Sequence, residues 1–261
     1  MNRIVLPGAA GRMGRMIAQV IAETPDTELA AALERPDSPH LGEDAAPGVK
    51  IGADLEHALE RADVLIDFTA PEATARTAER AAAHGVAMVI GTTGLGDAEL
   101  GRIRAASQKI PIVISANMSL GVNVLFGLLA DAARALGDAY DVEIVELHHR
   151  QKKDAPSGTA MAMARVLASA LGRDLATDAR YGREGQVGAR TQKEIGVLAV
   201  RGGDIVGEHT AYFCGLGERL EITHKAASRE TFARGAVRAA GWVRGRPAGL
   251  YDMQDVLGLK K

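Results

Sequence analysis

The sequence predicts an α/β fold, in which a parallel, doubly wound sheet is followed by a second domain of the α+β class. Short β-branched runs alternate with helical runs through residues 1–118, and glycine-separated alternating strands dominate the part of the chain after Gly121. The composition agrees, since 47% of the residues are apolar and only 3% are aromatic. A chain of 261 residues with this composition builds its cores from Ala, Val, Ile and Leu, as α/β proteins do.

The first predicted strand and helix flank a glycine turn. Residues 4–6 form a short buried strand, and the turn at 7–14 leads into a helix that runs through Ile21. A strand, a glycine turn and a helix in this order are typical of Rossmann-type domains that bind dinucleotides. The glycines lie at positions 8, 11 and 14, so Ala10 stands where the motif G-x-G-x-x-G has its second glycine. Taken alone, this spacing is equally compatible with an ordinary tight βα turn.

The end of the second strand distinguishes these alternatives. Residues 27–33 form a predicted strand that ends at Glu34 and Arg35, about 20 residues beyond the last glycine, where a ribose-binding carboxylate is expected. Glu34 can accept a hydrogen bond from a ribose hydroxyl, and Arg35 can pair with a 2′-phosphate. Their register with the glycines favours nucleotide binding over an ordinary solvated strand end. We therefore predict that both NADH and NADPH serve as cofactors.

The rest of the first domain repeats the alternation of strands and helices. Helices are predicted at 54–62 and 72–84, strands at 62–68, 86–90 and 110–115, and a loop at 36–49. Because ligands of such sheets lie outside the carboxyl ends of the strands, the glycine turn and Glu34 are assigned to the adenosine and the pyrophosphate. By elimination, the loops at 91–93 and 115–118 are assigned to the nicotinamide. The predicted cofactor-binding residues are Gly8, Ala9, Ala10, Gly11, Arg12, Met13, Glu34, Arg35, Gly91, Thr92, Thr93, Ser115, Ala116, Asn117 and Met118.

The second domain has a different pattern of elements. Helices are predicted at 122–136 and 159–171, and strands at 141–147, 195–201, 205–213 and 219–225. Glycine-centred turns separate the last three strands, which are therefore predicted to form antiparallel hairpins. A final helix from residue 229 has an apolar stripe that hairpins cannot easily bury, so it is expected to return to the first domain. The predicted domains are 1–118 completed by 228–261, and 119–227, with paired hinges at the two crossings.

A cationic loop joins the strand at 141–147 to the helix at 159–171. It contains His148 and His149 together with three cations within six residues, and it ends in a turn at Gly158. Such a loop before a helix N-terminus collects anions, because free backbone N–H groups and the positive end of the helix dipole face the ligand. Histidine adds a proton donor tuned near neutral pH. The loop therefore indicates chemistry on an acidic small molecule; a histidine pair that merely ends a strand is the alternative, and it leaves the adjoining Lys152 unexplained.

Bulk properties argue against several classes of protein. The net charge of −2 creates no global field for nucleic acid or an anionic membrane, so neither is expected as a partner. Cys214 is alone, which excludes an intramolecular disulfide and suits a reducing compartment; a buried structural thiol is expected. With no secretory signal and no window of about 18 apolar residues, we expect a cytoplasmic protein without a transmembrane helix. No metal site is predicted, because ligand spacing is lacking around His40, His57, His84, His209 and His224.

Four motifs, spread over essentially the full chain, suggest a family. They are Gly8-Ala9-Ala10-Gly11-Arg12-Met13-Gly14, Gly91-Thr92-Thr93-Gly94, Ala116-Asn117-Met118-Ser119 and His148-His149-x-x-Lys152-x-Asp154-Ala155-Pro156-Ser157-Gly158-Thr159. In these motifs the chain resembles the dihydrodipicolinate reductase family, now called 4-hydroxy-tetrahydrodipicolinate reductase, and the last motif is highly specific. The resemblance implies reduction of 4-hydroxy-tetrahydrodipicolinate, a small dicarboxylate, to tetrahydrodipicolinate by NADH or NADPH with loss of water. This reaction belongs to lysine and diaminopimelate biosynthesis.

The resemblance also implies roles for individual residues. His148 and Lys152 match the catalytic positions of the family, and His149, Gly158 and Thr159 match its substrate-binding positions. Lys153 departs from the pattern, because that position is commonly apolar, and we expect its side chain to be exposed. The family resemblance further implies a homotetramer that associates through the sheet of the substrate domain, and closure by a hinge motion.

Two other functions are compatible with a nucleotide-binding domain of this kind. A related amino-acid dehydrogenase, such as a homoserine-type enzyme, would share that domain but would lack the motif that begins at His148. A catalytically silent redox sensor would bind NADH or NADPH together with a partner. The intact proton donors argue against the sensor, which has no need of them.

Overall fold

The computed structural model describes residues 1–260, which form two compact units. One unit consists of Met1–Leu120 and the segment from Glu230 onward, and the other is Gly121–Arg229. The elements up to the end of the first segment are β1 (Asn2–Pro7), α1 (Arg12–Glu23), β2 (Thr27–Leu33), β3 (Asp44–Ala46), β4 (Val49–Gly52), α2 (Leu55–Leu59), β5 (Val64–Asp67), α3 (Pro71–His84), β6 (Ala87–Ile90), α4 (Asp97–Ser107) and β7 (Pro111–Ile114).

The second unit and the C-terminal segment complete the chain. The remaining elements are α5 (Leu120–Leu136), a 3₁₀ turn (Gly137–Ala139), β8 (Asp141–His148), α6 (Gly158–Leu171), α7 (Leu175–Asp178), β9 (Ala179–Arg180), β10 (Ile195–Arg201), β11 (Gly207–Cys214), β12 (Arg219–Ala226), α8 (Glu230–Val243), β13 (Gly249–Tyr251) and α9 (Met253–Val256).

The first unit is built on an eight-stranded sheet in the order β13-β7-β6-β5-β1-β2-β4-β3. All neighbouring strands are parallel except β3 and β4. Helices cover both faces: Ile17 of α1 and Ala236 of α8 belong to one buried cluster, and Ala78 of α3 and Ile103 of α4 belong to another. Strands covered on both faces are apolar throughout, as β6 is. The predicted parallel, doubly wound sheet is therefore confirmed.

The order of the strands locates the ligand edge of this sheet. The chain runs from β1 to β2 on one side and returns to β5 on the other side of β1. Loops that leave β1 and β5 at their carboxyl ends therefore diverge at this switch point, where ligands of such sheets bind. The glycine turn follows β1, and Phe68 and Thr69 follow β5.

Several elements of the first unit differ from the prediction. The loop predicted at 36–49 contains β3, which forms a short antiparallel ribbon with β4. Strand β4 also pairs with β2. Strands of three and four residues leave too few positions for an alternating pattern to be recognised. Helix α4, in whose first turn Glu99 Oε2 accepts a hydrogen bond from Gly96 N at 2.9 Å, was not predicted. The chain also does not end with α8, because β13 and α9 follow it.

The second unit has a five-stranded sheet in the order β12-β11-β8-β10-β9. Side chains of α5 and α6, including Leu129 and Leu167, pack with Ile144 and Phe213 in one buried cluster on one face of this sheet. This arrangement confirms a second sheet domain with helices. Helix α6 forms because Ser157 caps its first turn, its Ala- and Met-rich residues favour helix, and Gly172 ends it with φ +64°.

The prediction that β10 and β11 form a hairpin is wrong. Strand β8 lies between them, and β10 pairs with β8 in parallel. The connection crosses the end of β8, where His149 N donates to Ile205 O at 2.7 Å and Gly202 N donates to His148 O at 2.9 Å. The turn at Gly202 and Gly203 therefore hydrogen-bonds to the start of the cationic loop and does not join neighbouring strands. Strands β11 and β12 do form the predicted antiparallel hairpin.

The expected burial of Cys214 and the expected lack of a long apolar window are both corrected. Cys214 is partly exposed instead of buried, because it lies at the end of β11 in the alternation opposite to the buried Phe213. Leu120–Ala139 is a helical segment of 20 residues with a mean hydropathy of 1.4, so by length and composition the chain does contain one helix that could cross a membrane. Leu125, Leu129 and Ala133 of this segment pack into the core of the second unit. Core helices can have the same length and apolar composition as a membrane span, so these two properties are weak evidence for one.

Candidate active site

The glycine turn after β1 has the geometry of a phosphate-binding turn. Gly8 has φ +70°, a conformation that favours glycine, and the helix that follows begins at Arg12 without a side-chain cap on its first N–H groups. A Cβ on Gly14 would stand 2.1 Å from the Gly8 carbonyl oxygen, so glycine is required for α1 to pack against the turn. An uncapped helix N-terminus beside a close turn fits a pyrophosphate.

The structure brings the glycine turn and the end of β2 together. Ala10 N donates a hydrogen bond to Glu34 Oε1 at 3.1 Å, and a cavity of about 290 Å³ is lined by Gly8, Glu34, Arg35 and Thr69, among others. Arg35 is mostly exposed and pairs through Nε with Asp37 Oδ1 at 3.2 Å. Gly8, Glu34 and Arg35 therefore share one cavity, and the binding of the adenosine part of a dinucleotide there stays a prediction.

A buried carboxylate organises the loops after β5 and β6. Asp67 is fully buried, and its Oδ1 accepts hydrogen bonds from Thr69 N at 2.8 Å, Thr69 Oγ1 at 2.6 Å and Thr74 Oγ1 at 3.0 Å. The Thr92 hydroxyl lies 2.8 Å from Thr74 Oγ1 and 3.3 Å from Asp67 Oδ1. This hydroxyl is thus used inside the protein, so the predicted cofactor contact at Thr92 would have to come from its backbone. Asp67 was missed, although a carboxylate at the end of an apolar strand was a visible signal.

The remaining cofactor candidates lie in compact turns. A Cβ on Gly91 would stand 2.2 Å from the ring of Phe68, so this glycine is needed for the ring to pack. After β7, the Ser115 hydroxyl donates to Asn117 O at 2.8 Å, and the buried Met118 side chain belongs to the core beside α8. The roles of these residues toward a nucleotide stay predictions.

In the second unit, the side chains of β8 alternate between the core and the opposite face. Val142, Ile144, Glu146 and His148 all point to the buried side. Glu146 is therefore a fully buried carboxylate in line with apolar core positions. Burial of a charge in such a place requires several hydrogen-bond partners.

Glu146 makes four such contacts, to three residues. Its Oε2 lies 2.5 Å from His148 Nδ1 and accepts a hydrogen bond from Arg201 Nη1 at 2.8 Å. Its Oε1 accepts from Arg201 Nη2 at 2.9 Å and from Ser157 N at 2.9 Å. Burial alone would raise the pKa of Glu146, but Arg201, His148 and the Ser157 amide outweigh it and hold the pKa below its ordinary value. The group is an anion under working conditions.

His148 is nearly buried, and its ring contacts the ring of His209. Its ring packs edge-on against His209, with centroids 5.1 Å apart and an angle of 75° between the planes. Burial lowers the pKa of His148 below its ordinary value, although Glu146 opposes this effect. The neutral form of this ring is therefore favoured more than that of an exposed histidine. His209, which was expected to be an ordinary surface or core residue, thus lies directly at the predicted catalytic histidine.

Lys152 lies in the loop that follows, with Nζ at 2.9 and 2.8 Å from the two carboxylate oxygens of Asp154. The lysine is about four-fifths buried while Asp154 is mostly exposed. The lysine holds the pKa of Asp154 below its ordinary value. Lys153 is exposed, as expected. The loop thus carries an ammonium group that is partly withdrawn from solvent.

The N-terminus of α6 closes the site. The Ser157 hydroxyl accepts a hydrogen bond from Ala160 N at 3.1 Å and lies 2.9 Å from His209 Nε2. Gly158 is exposed, and a Cβ there would meet open space, so the start of α6 borders solvent. One region of this unit therefore contains an imidazole, an ammonium group and a helix N-terminus. Glu146, Arg201, Ser157 and His209 had received no role from the sequence.

No group of three or more His, Cys, Asp or Glu side chains that could hold a metal ion occurs within residues 1–260. A doubly wound nucleotide-binding domain, together with an anion site that carries proton donors, defines the class of dinucleotide-dependent oxidoreductases. The family models for the dihydrodipicolinate reductase N-terminus and C-terminus match residues 2–118 and 121–257. The chain belongs to the dihydrodipicolinate reductase family.

Individual relatives agree with this assignment. A 4-hydroxy-tetrahydrodipicolinate reductase from Anaeromyxobacter sp. (strain Fw109-5) is 57% identical over 100% of this chain and 99% of its own. The enzyme of the same name from Syntrophotalea carbinolica is 54% identical over the whole of both chains. Among solved structures, dipicolinate-bound dihydrodipicolinate reductase from Paenisporosarcina sp. TG-14 superposes with a TM-score of 0.81 at 26% identity, covering 98% of both chains.

Proposed function

We propose that this protein reduces 4-hydroxy-tetrahydrodipicolinate to tetrahydrodipicolinate with NADH or NADPH and loss of water, in lysine and diaminopimelate biosynthesis. The observation that carries the proposal is the placement of His148, Lys152 and the α6 N-terminus around one site of a chain that belongs to this family. An amino-acid dehydrogenase of another type would not need this combination. The proposal is consistent with relatives of the same name at 57% and 54% identity.

The first unit binds the nucleotide. The glycine turn holds the pyrophosphate, Glu34 accepts a hydrogen bond from the adenosine ribose, and Arg35 pairs with the 2′-phosphate of NADPH. The loops at 91–93 and 115–118 border the nicotinamide, which supplies a hydride when bound. Since Glu34 and Arg35 both line the cavity, either nucleotide can be accepted.

The second unit binds a small dicarboxylate. The Gly158 and Thr159 N–H groups at the start of α6 receive one carboxylate, and His149 contributes a further polar contact. The TG-14 relative, whose structure contains dipicolinate, supports a ligand with two carboxylates. Lys152 supplies a positive charge to the substrate by exchanging its bonds to the exposed Asp154 for bonds to the substrate.

The proton balance of the reduction assigns work to His148 and Lys152. Loss of water leaves a conjugated imine-type ring, and a hydride added to it leaves an electron pair that one proton must neutralise. His148 in its protonated form donates this proton, while Lys152 stabilises the developing negative charge and can donate in turn. A positioned proton donor contributes typically ~10² to 10⁴-fold to the rate.

The assembly and the cellular location complete the proposal. Val145 and Leu147 of β8 pair in register with Leu198 and Val200 of β10, on the sheet face opposite to the buried side of β8. Val200 is 45% exposed. An apolar row of this kind suits association of sheets between subunits, so we place the contacts of a homotetramer on this face, and the enzyme in the cytoplasm. Light scattering of the purified protein tests the oligomeric state.

The function is tested by supplying the purified protein with the condensation product of pyruvate and aspartate semialdehyde. We expect loss of nicotinamide absorbance that depends on this substrate with NADH, NADPH or both. No substrate-dependent oxidation in the presence of an active control enzyme would contradict the proposal. Nucleotide binding without any turnover would instead favour the redox sensor.

A further inference from the structure

We infer that Glu146 and Arg201 act as a positioning pair, which fixes the ring of His148 for proton transfer and anchors the Lys152 loop to the same carboxylate. The inference rests on the proposed function and extends it, because it assigns a role to two residues that do not themselves carry the chemistry. Glu146 is fully buried and therefore acts through its neighbours.

Glu146 determines which nitrogen of His148 carries the mobile proton. A carboxylate is only an acceptor, so the 2.5 Å contact between Glu146 Oε2 and His148 Nδ1 requires a proton on Nδ1. This is the one hydrogen bond that the ring makes within residues 1–260. The proton that titrates is therefore the one on Nε2, as in other sites where a carboxylate holds the far side of an imidazole.

A glycine lies next to His148 Nε2. Gly207, at the start of β11, faces the ring, and a Cβ on this residue would stand 3.1 Å from His148 Nε2. Gly207 does not have a positive φ, so its backbone conformation does not require glycine. A side chain at position 207 would crowd Nε2, and glycine keeps this nitrogen accessible.

Arg201 and Ser157 fix the orientation of the Glu146 carboxylate. The two nitrogens Nη1 and Nη2 of Arg201 donate to the two oxygens of Glu146 at 2.8 and 2.9 Å, and the Ser157 N–H adds a third donor. A bidentate guanidinium fixes the plane of the carboxylate as well as its charge. Arg201 lies opposite His148 in the parallel pairing of β10 with β8, so this geometry is set by the sheet register.

Arg201 also connects Glu146 to Lys152 through Asp154. Besides binding Glu146, Arg201 Nη2 donates to the carbonyl oxygen of Asp154 at 2.7 Å. The side chain of Asp154 holds Lys152 Nζ. The loop is therefore tied to Glu146 by His148 at its beginning and by Arg201 and Ser157 at its end. One carboxylate sets the position of both proposed proton donors and of the first turn of α6.

The charges around His148 predict what removing Glu146 would do. The groups that face the ring are Glu146 on β8, Lys152 in the loop, Arg201 on β10 and His209 on β11. Burial, with a smaller contribution from His148, lowers the pKa of His209 to about 4, so His209 is neutral in the working range. Glu146 is thus the single anion among them, and without it the ring is faced only by cations and a neutral group.

The test compares Glu146→Gln with Glu194→Gln. Glu194 is a suitable control, because it is also nearly buried, is also held by an arginine, Arg183, and lies in the same unit without contact to His148. For Glu146→Gln we expect kcat/KM to fall about 10²-fold, since a misaligned donor loses most of the contribution of general acid catalysis. The loss of kcat/KM at high pH should begin at lower pH, because His148 then gives up its proton more easily. Nucleotide affinity should not change.

For Glu194→Gln, the pH at which kcat/KM declines should stay where it is in the wild-type enzyme, even if the protein becomes less stable. A purely structural role of Glu146 predicts the same behaviour for both variants. If Glu146→Gln keeps the wild-type pH profile and kcat/KM, the inference is wrong.

A measurement on the unmodified enzyme covers the case in which Glu146→Gln does not fold. Nitrogen NMR of ¹⁵N-histidine-labelled protein, with His148 identified by the signal missing in His148→Gln, reports the tautomer of the neutral ring. We expect the proton on Nδ1; a proton on Nε2 would overturn the inference. This spectrum needs no substrate, so it also separates a failure of the positioning pair from a failure of the proposed reaction.

Discussion

The backbone N–H of Ala10 donates a 3.1 Å hydrogen bond to Glu34 Oε1, which links the glycine turn to the carboxylate that follows β2. The bond places a negative charge beside the position where the ribose of a dinucleotide binds in such domains. Arg35 follows directly and projects a mostly exposed guanidinium. In the proposed function the two side chains favour different nucleotides, because Glu34 would accept a hydrogen bond from a ribose hydroxyl and Arg35 would pair with a 2′-phosphate.

We predict that Glu34→Gln and Arg35→Gln shift nucleotide preference in opposite directions. Glu34→Gln should lower kcat/KM for NADH and raise it for NADPH, because the substitution removes a negative charge near the 2′-phosphate. Arg35→Gln should lower kcat/KM for NADPH by about 10- to 10²-fold, since a charge-assisted hydrogen bond contributes roughly 1.5–3 kcal/mol. The ratio of kcat/KM for the two nucleotides is the measurement. Equal losses for both nucleotides in each variant would contradict these roles.

A second prediction uses two helical glycines that differ in their surroundings. A Cβ on Gly14 of α1 would stand 2.1 Å from Gly8 O and 2.7 Å from Ala9 Cα, whereas a Cβ on Gly101 of α4 would meet no atom within 4 Å. Gly14→Ala must displace backbone, so we expect the free energy of unfolding to fall by about 1–3 kcal/mol, with weaker nucleotide binding. Gly101→Ala should raise it by roughly 0.5–1 kcal/mol. Denaturant unfolding and nucleotide titration provide the test. Destabilisation by Gly101→Ala would show that the space around a glycine does not decide whether its substitution by Ala raises or lowers the free energy of unfolding.

The parts of the fold that were predictable depend on local signals. The apolar strand β5 and the proline at the start of α3 are visible in a few adjacent residues. The position of β10 beside β8 is not visible locally, because it depends on contacts between residues far apart in the chain, such as Ile195 and Val142. The glycine turn after β10 was misleading, since such a turn normally joins neighbouring strands. Topology of this kind is decided by the whole sheet.

The candidate site divides in the same way. His148 and Lys152 were identified because the motif that contains them is contiguous in sequence. Arg201 meets Glu146 only through the pairing of β10 with β8, and His209 meets His148 through β11, so no local pattern indicates either contact. Glu146 could have been noticed, because it alternates in phase with apolar core positions on β8.

A third prediction separates chemistry from nucleotide binding by means of adjacent lysines. Lys152 is about four-fifths buried and held by Asp154, whereas Lys153 is exposed. Lys152→Ala and His148→Ala should reduce kcat by about 10²-fold or more, because each removes a proposed proton donor. Nucleotide affinity should be unchanged, since the proposed nucleotide residues lie in the other unit. Lys153→Ala is the control and should retain wild-type turnover, as measured by steady-state kinetics and by nucleotide fluorescence titration. Equal loss of nucleotide affinity in Lys152→Ala would contradict the assignment.

The last prediction follows from the burial of His209. Its exposed fraction is 4%, and burial is the main cause that lowers its pKa from 6.5 to about 4. The unfolded chain therefore binds a proton at this residue as the pH falls through 6.5, whereas the folded protein does so only near 4. Because the unfolded state binds more protons in this window, the stability that His209 contributes is complete above pH 6.5 and is lost between 6.5 and about 4. At 1.36 kcal/mol per pKa unit, the loss reaches about 3 kcal/mol.

Replacing His209 by Gln should make the protein less sensitive to acid in that window. Gln can still bond to the Ser157 hydroxyl, which lies 2.9 Å from His209 Nε2, but it does not titrate. We expect the free energy of unfolding of His209→Gln to fall less steeply than that of the wild type between pH 6.5 and about 4, as measured by urea titration at several pH values. His57→Gln, at an exposed histidine of α2, should keep the wild-type slope. If both variants keep that slope, acid sensitivity in this range arises from groups other than the buried imidazole beside His148.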